Sequence, residues 1–189
     1  MILEGISIVQ KAFVAVLIIV VGLALAALPV FASNFGRFYA DNKNHYYSLS
    51  SSLHTDSLSA ANWGKDRLDA TDINVHDDGS CKSQTDVCIF DGDYSQHPVY
   101  KYWSGWVTCN KKVNSSKCDK WHMYFNTGEY HKYDEDTLRQ LGCHEWGHTV
   151  GLRHSYAGSG NSCMWSPLSH SNSTTDYSVH DIDHIDGRY

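Results

Sequence analysis

The sequence predicts one α/β (α+β) domain, and three observations carry that expectation. Short strand-like runs come first, one long helix follows in the second half of the chain, and a Gly/Ser/Asn-rich coil leads to a last short helix. The 189 residues leave room for a single domain of ordinary size once an export segment is set aside.

The first element, residues 1–32, reads as a signal peptide. Lys11 precedes an uncharged apolar run from Ala12 to Leu28, and Pro29 leads into the small-residue exit Val30-Phe31-Ala32. Cleavage after Ala32 makes the protein secreted. An uncleaved segment, which continues without charge to Gly36, makes it membrane-anchored and facing outside. In the first case the membrane is a partner only during export.

Residues 33–57 are polar and aromatic without a clear period, which fits an N-terminal arm, a short pro-segment or partial disorder. The domain proper is expected over 58–189. Leu58, Ala61 and Leu68 fall on one side of a possible helix that Trp63 and Gly64 weaken, and a strand follows around Asp72 to Val75. Asp86 to Phe90 is a strand candidate closed by the turn Asp91-Gly92-Asp93. The aromatic runs Val99 to Cys109 and Trp121 to Asn126 are two more, separated by a polar loop. Asp134 to Gly151 is the clearest helix, with Asp134 or Asp136 as its N-cap. Val179, Ile182 and Ile185 recur every third residue and mark the terminal helix.

Charge and cysteines narrow the setting. The net charge of −6 comes with no long basic run beyond Lys111-Lys112 and nearby Lys117 and Lys120, so nucleic acid is not an expected partner. All six cysteines follow the export segment. They suggest disulfides, with Cys81/Cys88 and Cys109/Cys118 as close pairs and Cys143/Cys163 left to bracket the long helix; the sequence does not fix the connectivity. No CxxC pair exists, so a thiolate zinc site has little support.

The chemistry concentrates in Cys143 to His154, CHEWGHTVGLRH. Residues four apart on an α-helix are separated by about 400° of rotation and about 6 Å of rise, so His144 and His148 present imidazoles on one side. Both can give a ring nitrogen to one Zn2+. Glu145 lies off their shared line but within reach of a metal-bound water. His154 would point elsewhere on a continuous helix. Gly151 is placed where the chain can turn through positive φ and bring His154 back as a third ligand. Three imidazoles leave a fourth position for water, the arrangement of a catalytic site.

The run His144-Glu145-Trp146-Gly147-His148-Thr149-Val150-Gly151-Leu152-Arg153-His154, with Ser162-Cys163-Met164 beyond it, resembles the metzincin clan of zinc metallopeptidases. The short gap to Met164, Ser155 after the third histidine and the tail Asp181-Ile182-Asp183-His184-Ile185 look most like the matrixin branch. The resemblance implies a twisted, mostly parallel sheet with an antiparallel edge strand, for which Trp121 to Asn126 is the expected segment. It also implies an active-site helix, a Met-turn at Met164 and a C-terminal helix. Cys143 and Cys163, beside the first ligand and the turn methionine, depart from the matrixin pattern, and a disulfide between them would tie helix to turn. Structural Ca2+ is a further expectation of the resemblance, near Asp91-Gly92-Asp93.

The function so implied is a secreted zinc metalloendopeptidase acting on polypeptide, with Glu145 catalytic and His144, His148 and His154 as metal ligands. Two alternatives remain: a non-catalytic zinc-binding module, and a zinc hydrolase of cell-wall peptide amides.

Overall fold

The computed structural model describes residues 36–155, 161–168 and 174–189. The expected export segment, the start of the expected arm, and part of the coil before the last helix lie outside the described residues. Among the described residues no helix is long and apolar enough to cross a membrane.

Six strands form one sheet: β1 (Tyr39–Ala40), β2 (Asn44–Leu49), β3 (Asn74–Asp77), β4 (Val87–Gly92), β5 (Gly105–Lys112) and β6 (Lys117–Asn126). The strand order is β1-β6-β4-β2-β3, every one of these pairings is parallel, and β5 lies antiparallel along β6. Among the described residues three α-helices join them: α1 (Thr55–Asp69), α2 (Glu135–Thr149) and α3 (Val179–Asp186). The fold is therefore a mixed α/β domain with a mostly parallel sheet. Parallel pairing needs crossovers, and α1 is the crossover from β2 to β3.

Two strand expectations change. Residues 39–49, expected as arm, pro-segment or disorder, supply β1 and β2, and β2 is flanked by β3 on one side and β4 on the other. The antiparallel edge strand is β5, whereas Trp121–Asn126 forms the inner part of β6 with β4 and β5 on its two sides. The reason lies in the side chains. In β6, Trp121, Met123 and Phe125 alternate into the core while His122 and Tyr124 face outward, as befits a strand with packing on both faces.

The core lies between the sheet and helices α1 and α2, where Ile89, Met123, Phe125, Leu141 and Trp146 are fully buried. The two helices touch at glycines. A methyl group on Gly142 would sit 1.8 Å from the carbonyl oxygen of Ala60, and one on Gly64 would sit 2.3 Å from that of Gly142. This approach lets the indole of Trp146 donate to the Ala61 carbonyl at 2.8 Å, so the one polar atom of a buried Trp is satisfied.

On the outward face, rings stack along β5 and β6. Tyr100 lies 4.3 Å from Trp106, and Trp106 lies 5.0 Å from Tyr124, both nearly parallel. The disulfides are Cys81–Cys88, Cys109–Cys118 and Cys143–Cys163, the pairs that proximity in the chain suggests, and no cysteine is free.

Candidate metal centre

Helix α2 starts where a capping residue dictates. The Asp134 carboxylate accepts from the Thr137 N–H at 2.9 Å, and Glu135 and Asp136 place negative charge in the first turn. Ten residues in, His144 and His148 project from adjacent turns with ring centroids 4.7 Å apart. The helix ends at Thr149, and Gly151 takes φ +94°, a conformation that side-chain-bearing residues rarely adopt. The chain then reverses and brings the His154 ring to 4.8 Å from that of His144 and 5.0 Å from that of His148. One nitrogen from each of the three rings lies within 4.8 Å of the other two.

The backbone sets the orientation of two of these rings. Nδ1 of His144 is 3.0 Å from the Cys163 carbonyl and Nδ1 of His148 is 2.7 Å from the Leu152 carbonyl. A carbonyl only accepts, so each Nδ1 carries the proton and each Nε2 keeps its lone pair for the shared space. Burial, then the neighbouring imidazoles, push His144 well below its ordinary value. Burial lowers His148 to about 4 and also lowers His154. Neutral imidazole is the form that binds a metal.

Glu145 is buried, and burial raises its carboxyl to about 8. Oε2 has no hydrogen-bond partner, and Oε1 lies where a side chain on Gly105 would sit, 2.8 Å from such a carbon. The start of β5 therefore runs directly past the carboxylate. On the other side of α2, the segment around Met164 is fixed three ways. Cys163 is disulfide-bonded to Cys143, the Met164 sulfur packs against Gly147, and the Ser155 N–H donates to the Met164 carbonyl at 2.8 Å. Ser162 Oγ in turn donates to Asp181 of α3 at 2.6 Å, and Asp181 closes the capping box of that helix with Ser178.

Two other groups of potential ligands converge among the described residues. In Cys81/Cys88/His122 the two sulfurs are bonded to each other, so neither is a thiolate and a zinc site there is ruled out. That disulfide leaves the imidazole cluster untouched, because none of its three ligands is a cysteine. In Asp41/Asp86/Asp119 the Asp86 carboxyl accepts from the Tyr46 N–H at 2.7 Å, and burial raises it to about 6. The Ca2+ expectation at Asp91-Gly92-Asp93 is corrected. Asp91 is committed to the N–H of His54 and Asp93 to that of Ser95, and the pair belongs to no converging group of three among the described residues.

Comparison of the chain with protein-family models and with curated proteins finds no match. The identification as a metzincin-clan, matrixin-like zinc metalloendopeptidase with resident Zn2+ is corrected accordingly. It rested on a short motif, no family match accompanies it, and the one sulfur-bearing ligand group is a disulfide. What stands is a cluster of three neutral imidazoles beside one buried carboxylate. The sequence reading did not find the carbonyls of Leu152 and Cys163 that orient the rings, nor Gly105 beside Glu145. The first two are backbone groups without a sequence signal, and the third is a long-range contact.

Proposed function

We propose that His144, His148 and His154 hold one divalent transition-metal ion and that Glu145 is the proton acceptor for a water in that site, with an extended polypeptide as the partner that is read there. One observation carries the reading: three ring nitrogens converge within 4.8 Å, and two of the rings are turned inward by backbone carbonyls at 3.0 and 2.7 Å. Three nitrogen ligands are a donor set that such an ion accepts.

Bound there, the ion would lower the pKa of a water in the site. The chain's own groups do the rest. Glu145, short of hydrogen bonds and raised by burial, is placed to take a proton from a water held in the site. A nearby cation draws its affinity for protons back down, toward the range in which it both accepts and donates at neutral pH. Gly105 lets the backbone of β5 itself run close against the carboxylate. Among the described strands β5 pairs only with β6, so an extended chain has an unpaired edge to line up on.

A second reading, a metal-binding module without catalysis, rests on the same imidazoles and differs only in the role of Glu145. Metal analysis and cleavage of a denatured protein substrate separate them. The wild-type chain is expected to carry one ion, His148→Ala to lose it, and Glu145→Gln to keep it while cleavage falls about 100-fold or more. Equal cleavage by wild type and Glu145→Gln would remove the assigned role of the carboxylate.

A further inference from the structure

Away from the three converging imidazoles, helix α3 carries a second pair of histidines at the spacing of His144 and His148. His180 and His184 lie four apart, and their ring centroids are 3.9 Å from each other with the planes tilted by 47°. On an α-helix this spacing sets both side chains on one side, a turn apart. Among the described residues no third histidine, cysteine or carboxylate converges with them. Three further features separate the pair from rings that only pack. Both residues are half-buried, and the flank of α3 beside them is open, with Val179 77% exposed and Asp183 and Gly187 exposed as well. Solvent therefore reaches the pair. Nδ1 of His180 is buried and has no hydrogen-bond partner, so no protein donor claims a lone pair there, and buried polar atoms without partners are rare. The charge is also of the right sign: Val179–Asp186 holds Asp181, Asp183 and Asp186 and no lysine or arginine, and the next basic residue, Arg188, lies over the Tyr39 ring.

We propose that His180 and His184 form a second site for a divalent transition-metal ion, in which two imidazole nitrogens and water share the coordination. Imidazole suits copper, nickel and zinc ions. With two protein ligands in place of three, the site fills after the first and only when the ion is in excess. Its effect is on α3. An ion shared by residues four apart closes one turn of an eight-residue helix, a length that is marginal without outside support. That helix presents Asp181 to the hydroxyl of Ser162, next to the Cys143–Cys163 disulfide, so a closed turn helps to keep the end of the chain docked. Neither Glu145 nor the imidazole cluster takes part, and the site stands whether or not the first one is catalytic.

The test titrates Cu2+ into the full chain carrying His148→Ala, which removes the imidazole cluster, and reads binding by calorimetry and coordination by electron paramagnetic resonance. The expected result is one remaining ion whose spectrum shows nitrogen splitting from two imidazoles, with a rise in melting temperature as it binds. Adding His180→Gln should weaken this ion about tenfold or more, remove the two-nitrogen signature and cancel the rise, with the circular dichroism of the metal-free chain unchanged. His184→Gln is expected to give the same loss, so the conclusion does not depend on one variant folding. In the chain with His148 intact, His180→Gln should lower the copper stoichiometry from two ions to one and leave the tighter event in place. Binding that survives both His180→Gln and His184→Gln would put the ion elsewhere and overturn the proposal, as would no binding to the His148→Ala chain at millimolar Cu2+. Loss of the tighter event alone in the chain with His148 intact would count against the first site and leave the α3 pair as assigned.

Discussion

At the scale of single residues, the inner face of β2 carries a clear pH signature away from the imidazole cluster. His45 is buried beneath α2, 3.0 Å from the Thr149 hydroxyl and against Trp146, and burial lowers it from 6.5 to about 4. The unfolded chain therefore takes up this proton before the folded one does. Above about pH 6.5 the residue is neutral in both states and has no effect. Stability is lost as pH falls from 6.5 towards 4, at about 1.4 kcal/mol per pH unit and about 3 kcal/mol in all. Other histidines contribute to acid unfolding, so the measurement is a difference. Urea unfolding of wild type and His45→Phe at pH 7 and pH 4.5 should show the variant losing about 2 to 3 kcal/mol less across the interval. Thr149 keeps its bond to the Trp146 carbonyl at 2.7 Å in the variant, so the replaced ring orphans no hydroxyl. Equal losses would place the acid sensitivity elsewhere.

At the scale of elements, α2 was legible because its signals are local: a capping aspartate, a repeating buried stripe and two histidines four apart. The turn after it was legible from Gly151 for the same reason, and it is the place to test how far position depends on backbone. A methyl on Gly151 would lie 2.7 Å from the Tyr39 side chain and 2.8 Å from the Phe38 carbonyl, at a φ of +94° that already disfavours alanine. Gly151→Ala is expected to weaken metal affinity at least tenfold, because the turn that returns His154 has to open; a metal titration with unchanged affinity would contradict this. The contact between α1 and α2 was not legible. Gly64 read alone weakens its helix, and only the packing reveals that it and Gly142 are where two backbones meet. Gly142→Ala has nowhere to put its methyl but into a backbone carbonyl and should cost about 3 kcal/mol or more by urea unfolding. Gly79→Ala, with φ +70° and open space around it, should cost about 1 kcal/mol. Strand β2 was not legible because the residues it turns toward α2 are His45 and Tyr47, whose polarity hides the alternation that leucines or valines would display.

At the scale of the whole molecule, the candidate centre joins segments that are distant in the chain, and this gives metal a lever on the entire fold. His144 and His148 belong to α2 and His154 to the returning segment. Ser155 connects that segment to Met164, Cys163 to α2, and Ser162 through Asp181 to α3. The three histidines lie within residues 144–154, but the segments that hold them in place are distant in the chain, so the unfolded chain offers the histidines without their convergence. The folded state should therefore bind far more tightly, and binding is then stabilising by mass action: about 2.7 kcal/mol when free metal stands at 100 times its dissociation constant. Removing metal with a chelator is expected to lower the melting temperature by several degrees, and adding it back to restore the value. His154→Ala should abolish most of that shift while leaving the apo melting temperature nearly unchanged, since this residue is the most exposed of the three and contributes least to packing. A chelator-insensitive melting temperature in the wild-type chain would mean that the three imidazoles converge without holding an ion, and the water chemistry assigned to Glu145 would lose its basis.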